Sequence, residues 1–285
     1  VTVSSPIDLN GGTIKDAKGN NANLTFTPPS TANVKVNYPS FGMDFVYDSD
    51  GRYSLNGTAY NDLTSFLTAA GGSFIRASVG TYFDSSGNIQ TAASGVPRFD
   101  YDPVTHAAKG LLIEESRSNL LTYSMAMNTS PWNLARSSVT LGATTSPDGT
   151  ANAIKFYNNG TSGSVYAGYW RTYTANQTYT YSIFAKKAEI TSIIIPIYAA
   201  AGWPADGSIT FNLNTGTASV TGTGISSYSI TPLPNGWYRC AITATFGTTD
   251  TYGQYPVTML STNPMDSVSG VYLWGAQLEQ GAFPT

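Results

Sequence analysis

Between Thr178 and Ala185 the chain alternates so that Tyr179, Tyr181, Ile183 and Ala185 fall on one side of an extended strand, and Thr178, Thr180, Ser182 and Phe184 on the other. That period suits a pleated strand and defeats an amphipathic helix. Phe184 on the more polar side implies that both faces are partly covered. Comparable runs rich in Val, Ile, Thr, Tyr and Phe recur along the chain, broken by clusters of Gly, Asn, Asp and Ser, so the expected fold is all-β. At 285 residues, 41% apolar and 13% aromatic, there is enough material for a large packed interior. Charged residues make up 11%, well under the roughly 25% of ordinary soluble domains, so uncharged polar residues and glycine must cover the surface.

Strand-like runs after residue 130 fall at 134–143, 151–157, 164–173, 178–187, 192–199, 208–213, 217–232, 237–246, 254–260 and 268–278. Ten such runs at this spacing predict an antiparallel, jelly-roll-like β-sandwich over 126–285. Upstream, shorter runs such as Val34 to Tyr38 and Thr81 to Phe83 are joined by turn-rich peptides. They predict an irregular β region over 1–125, suited to attachment or oligomerisation. Helical spacing occurs twice, at Leu63, Phe66 and Leu67 after an Asp62 cap, and at Leu120 and Leu121 after Ser116. Leu112 and Ile113 belong to the apolar run near the junction and are expected to be needed for soluble assembly.

Several function classes lose their raw material. His106 is the one histidine, which removes the usual ligand and base from zinc clusters and serine triads. Cys240 is the one cysteine and sits in a strand-like setting, as a buried thiol. A formal charge of −3 provides no cationic stripe for nucleic acid, and no apolar run is long enough for a membrane span. No cofactor or metal is expected.

Among the motifs, Asp100 and Asp102 flank Tyr101 and point to one side if extended, with Asp102-Pro103 opening a turn. They are read first as turn-fixing acids pairing with Arg98 or Arg117, and second as a calcium site or a catalytic pair. Glu114 and Glu115 next to Arg117 carry the same two readings. Asn235-Gly236 supplies a positive-φ turn, after which Trp237 starts a strand with its ring buried.

The run Pro97-Arg98-Phe99-Asp100-Tyr101-Asp102-Pro103-Val104-Thr105, continuing from Gly110 through Leu111-Leu112-Ile113-Glu114-Glu115-Ser116-Arg117-Ser118-Asn119 to Leu120-Leu121, resembles a block of tailed-bacteriophage virion proteins. In those proteins it joins an N-terminal β region to a sandwich similar to family-4/9 carbohydrate-binding modules. Further matches are Tyr181 to Lys186, Asn235 to Arg239, Val271 to Glu279 and Gly281 to Thr285, so the resemblance spans roughly residues 74 to 285.

The resemblance implies a structural virion protein, such as a tail fibre, tailspike, minor tail or capsid-fibre component, without enzymatic activity. Its implied partners are copies of itself, as a homotrimer, together with other virion proteins and host-surface glycan. A glycan depolymerase or cell-wall hydrolase component, or a bacterial carbohydrate-binding module, is the alternative. In such sandwiches aromatic and amide side chains at strand ends bind sugar. That points to Trp170 and Trp203, then Tyr166, Tyr169, Tyr173, Tyr198 and Gln177, with Asn158 and Asn159 as added hydrogen-bond donors. The competing role for these rings is to fill the core or a subunit contact.

Overall fold

The computed structural model describes residues 13, 15, 18–23, 25, 27, 41–48, 52–197, 207–247 and 252–285. Contacts divide the chain into two units, Val1–Asp44 with Asp48–Ser73, and Phe45–Tyr47 with Phe74–Thr285. The run at Val34 to Tyr38 lies outside the described residues.

In the first unit, β1 (Phe41–Met43), β2 (Tyr53–Leu55) and β3 (Thr58–Tyr60) form an antiparallel sheet in that order. The β2–β3 turn is Asn56-Gly57, with φ of 49° and 82°, the left-handed pair that a two-residue hairpin demands. Helix α1 (Leu63–Ala69) starts where the Asp62 carboxylate accepts the Ser65 N–H at 2.7 Å, as the cap signal predicts. Its Phe66 ring is buried among Phe41, Tyr53 and Tyr60, with centroids 5.3, 5.6 and 5.9 Å away.

The second unit begins with two hairpins, β4 (Gly80–Phe83) with β5 (Ile89–Ala92), and β6 (Phe99–Tyr101) with β7 (Ala108–Leu111). Then follow β8 (Trp132–Ala135), β9 (Ser137–Thr144), β10 (Ala153–Asn158), β11 (Tyr166–Thr172), β12 (Thr178–Lys187), β13 (Ser192–Ile197), β14 (Gly207–Asn212), β15 (Thr217–Gly222), β16 (Ser227–Pro232), β17 (Trp237–Thr245), β18 (Tyr252–Leu260) and β19 (Gly270–Gln280). They form two six-stranded antiparallel sheets, in the orders β16-β17-β12-β19-β10-β9 and β15-β14-β13-β18-β11-β8. The expected all-β sandwich is therefore present. Its core holds Phe156, Tyr181, Ile183, Ile193, Phe211, Ile242 and Leu273, all fully buried, and Cys240 lies among them as an inert thiol whose burial pushes its pKa up.

Strand β12 is buried on both faces. Tyr179, Tyr181, Ile183 and Ala185 enter the core, while Thr180 Oγ1 on the opposite face donates to Gly281 O at 2.8 Å and Phe184 packs edge-on to Trp274 at 5.2 Å. A second apolar cluster covers this outer face: Ile89, Ala153, Phe184, Leu233, Trp237 and Trp274, with Phe83 against it. Its member Ile89 comes from the β4–β5 hairpin, as does Phe83 against it, and residues 74–125 belong to the same contact unit as the sandwich.

The segment around Leu120 is extended, not helical. Asn119 is the reason: its Oδ1 accepts Leu121 N–H and Leu278 N–H, both at 3.1 Å, and its Nδ2 donates to Ala276 O at 3.0 Å. With Leu120 N–H on Leu278 O at 2.8 Å, the segment lies along β19 and its donors find partners there instead of in a helical turn. Ile113, in the apolar run near the junction, is 81% exposed.

One electrostatic tie has a pH consequence. Lys155 Nζ on β10 donates to Glu189 Oε1 at 2.8 Å, and this bond holds the Glu189 carboxyl below its ordinary 4.5. A carboxyl lowered in the folded state stabilises the protein above its unfolded pKa, and that contribution is lost as pH falls through the folded value. Glu189→Gln should therefore flatten the acid side of the stability curve below about pH 4.5, with an effect at neutral pH of no more than about 1 kcal/mol because the pair is partly solvated. Urea melts of parent and variant between pH 7 and pH 3 check this; parallel curves refute it.

Candidate functional site

The outer face of the first sheet carries a row of three side chains from three neighbouring strands. Arg239 on β17 is the register partner of Phe184 on β12, which is in turn the partner of Trp274 on β19. The next row pairs Ser182 with Gln277. Trp274 and Gln277 are three apart and would point to opposite faces of a regular strand. Gly275, with φ of 58°, supplies a bulge of one extra residue opposite Ser182–Phe184 and returns Gln277 to the face of Trp274.

Over this row lies a cleft of about 270 Å³. Its floor is Phe184, Arg239, Trp274 and Gln277, and its walls include Asp100 of β6 and Glu114 of the phage-like block. Arg239 is held in place: Nη2 donates to Gln277 Oε1 at 2.8 Å and to Thr285 O at 2.7 Å, and the guanidinium lies 5.5 Å over the Phe184 ring. Burial pulls its pKa down, against the opposing pull of Glu279 and Glu114. Among the described residues, the Arg239 Nε and Trp274 Nε1 donors are buried without a partner, and Trp274 as a whole is 6% exposed.

The acids of the block are fixed by local bonds. Glu114 Oε2 accepts Arg98 Nη2 at 2.7 Å, and Asp100 Oδ1 accepts Phe83 N–H at 2.8 Å. Asp102 Oδ1 takes Val104 and Thr105 N–H at 2.9 and 2.8 Å, closing its turn and holding its carboxyl below the ordinary range. Glu115 pairs with Arg117 at 2.8 Å, and Arg117 stacks 4.0 Å over Phe283 and donates to Phe283 O. Asp102 thus has the turn-fixing role and Glu115 the Arg117 pair read first from the sequence, whereas the cation near Asp100 and Asp102 is Lys109, at 3.9 Å, rather than Arg98 or Arg117. No group of three or more His, Cys, Asp or Glu is placed to hold a metal among the described residues.

The aromatic candidates separate. Trp203 and Tyr198 lie outside the described residues. Tyr166, Tyr169 and Trp170 lie on strand β11. Trp170 is 42% exposed and Tyr166 half-buried. Tyr169 is a core residue: its ring packs edge-on to Trp132 at 5.2 Å and its hydroxyl accepts the Thr122 N–H at 3.3 Å, so it presents no stacking face. Tyr173 is likewise buried, stacked on Phe246 at 4.4 Å. Asn158 is buried and binds Thr161 O and Asn263, while Asn159 is exposed and caps Thr161 N–H at 3.2 Å. Gln177 accepts Gln280 Nε2 at 2.9 Å in a polar groove it shares with Ser116, Arg117 and Thr178.

Sequence reasoning missed the cleft. Asn235-Gly236-Trp237-Tyr238-Arg239 and the Trp-Gly-Ala-Gln run of β19 were both noticed, yet their meeting depends on strand order. A tryptophan followed by glycine inside an otherwise alternating strand is the one local signal for the bulge.

No family model matches the chain, and no curated protein matches it. Among solved structures, the enzymatically active domain of tailspike protein 4 of bacteriophage CBA120 is similar over 57% of this chain, at 13% identity and a TM-score of 0.34. The match spans 21% of that chain, about a fifth of its length. Because that neighbour is an enzymatically active domain, the expectation of a protein without enzymatic activity is overturned. The likeness itself assigns no activity to this chain.

Proposed function

We propose that the chain is a virion component of a tailed phage, a fibre, spike or decoration protein carried on the extracellular particle, whose sandwich contacts host-surface glycan or neighbouring virion subunits. One observation carries this reading. The block from Pro97 to Leu121, which bears the phage resemblance, is tied at its end to β19 through Asn119 and Leu120 and belongs to one unit with the sandwich, so the resembling segments form a single body. Purified virions should contain the protein by mass spectrometry and bind an antibody against it in electron micrographs. Virions that lack it refute the proposal.

The assembly is a homotrimer in this reading, with residues 1–125 serving attachment or oligomerisation. Support comes from the apolar side chains left on the surface of the second unit, Ile75 at 85% and Ile113 at 81% exposed. Because Ile113 is exposed, Ile113→Asp should leave the protomer folded and abolish the oligomer. Light scattering should fall from about three times 30.2 kDa to 30.2 kDa, with the far-ultraviolet spectrum unchanged. A parent that already scatters as a monomer ends the trimer proposal.

For glycan contact, Trp170 is the exposed ring and Gln177 the amide in a hydroxyl-rich groove. They are the described members of the sequence-derived set best placed to meet a sugar.

A further inference from the structure

The geometry points to the side-by-side edges β15 and β16 as the surface through which copies of this chain join, β15 of one protomer hydrogen-bonding β16 of the next. This deepens the assembly reading, on which it rests for the number of copies.

β15 and β16 each end one sheet of the sandwich, with a single strand neighbour apiece among the described residues. Residues 223–226 join them, and Gly224, with φ of 88°, helps to reverse the chain as it passes from one sheet to the other. The two open edges therefore lie together on one side of the sandwich and run in opposite directions.

The phase of the ladder hydrogen bonds identifies the free groups. Leu213 N–H on Thr191 O turns Ile209 and Phe211 toward β13, so Ser208, Thr210 and Asn212 bond β15 through Thr221, Ser219 and Thr217. Ala218 and Val220 are left with N–H and C=O groups pointing away from the sheet. On the other edge, Leu233 N–H on Trp237 O assigns Ser227, Ser229 and Thr231 to β17 and leaves Tyr228 and Ile230 facing outward. Pro232, next in that phase, has no N–H to expose, which is where an edge strand tolerates proline.

Exposed edges are usually blunted by short length, charge or irregular register. The far side of this sandwich is blunted in all three ways: β8 has four residues, Arg136 follows it, and β9 loses register against β10 between Thr140 and Thr144. By contrast, β15 and β16 have six residues each in unbroken register, and no charged residue occurs from Gly207 to Tyr238. Val220 and Tyr228 are exposed on them.

A second copy satisfies both edges. Pairing β15 with another β15 would leave each β16 open, whereas head-to-tail pairing of β15 with the next β16 uses every edge once the ring closes. About an axis along the strands the two meet antiparallel. The register that engages the free N–H groups of Ala218, Val220, Tyr228 and Ile230 sets Val220 against Tyr228 and Ala218 against Ile230 across the junction.

The test places Val220→Cys and Tyr228→Cys in the full chain, singly and together; Cys240 is buried and stays out of the exchange. Cα atoms of a hydrogen-bonded antiparallel pair stand about 5.5 Å apart, within disulfide reach. After mild oxidation the double variant should run as a covalent trimer on a non-reducing gel and both single variants as monomers. Val220→Pro, which removes an N–H that β14 does not use, should scatter light as a monomer with its far-ultraviolet spectrum unchanged. A cross-link in either single variant, a disulfide within one chain of the double variant, or no cross-link at all overturns the junction. A parent that scatters as a trimer yet gives no such cross-link sinks the edge and spares the assembly reading. Covalent rings of another number do the reverse, and a monomeric parent ends both.

Discussion

Trp237→Ala lowers the stability of the second unit by about 3–5 kcal/mol, the range for truncating a fully buried large aromatic side chain. Trp237 is 1% exposed, packs with Leu233 and Ala153 beneath the hairpin layer, and donates Nε1–H to Thr145 O at 3.1 Å. The truncation opens a cavity and strands that carbonyl. Trp170→Ala, at a ring 42% exposed on β11, should cost about 1 kcal/mol or less and weaken any glycan contact made there. Urea denaturation followed by circular dichroism compares the two. A Trp237→Ala midpoint within error of the parent would show that its pocket is not packed as described.

The second large effect is Arg98→Leu. The Arg98 guanidinium is buried and ties two pieces together: Nη1 donates to Thr81 O of β4 at 2.8 Å and Nη2 pairs with Glu114, beside the backbone bond from Leu112 N–H to Arg98 O at 2.7 Å. Removing one partner of a buried pair is expensive because the other charge is left uncompensated. Glu114 keeps some solvent contact, with a side chain 24% exposed, so the loss should be nearer about 3 kcal/mol than 5. The loss should be local. Hydrogen exchange should show the Phe83 and Leu112 amides losing protection while β12 and β17 amides keep theirs. Uniform loss across both sheets would refute a clamp role for Arg98.

Correct local readings share one property: the force that decides them acts within a few residues. Strand identity at Thr178–Lys187 follows from side-chain period, the α1 start from Asp62 and the Ser65 N–H, and the turn at Asn235-Gly236 from φ values of 60° and 76° that these two residues tolerate. Cys240 was expected in the core on the same grounds and lies there.

What the local pattern could not contain is which face of a strand is covered, and by what. Tyr169 and Trp170 are sequence neighbours on β11, and only the opposing sheet decides that the first is core and the second surface. The helical spacing at Leu120 was real but lost to Asn119, whose amide found β19. Arg239, Phe184 and Trp274 come from distant parts of the chain, and their meeting requires the order β17-β12-β19 together with the Gly275 bulge. Alternation along one strand specifies two faces, whereas pairing between strands specifies which side chains share a face, and that second kind of information resides in tertiary hydrogen bonding.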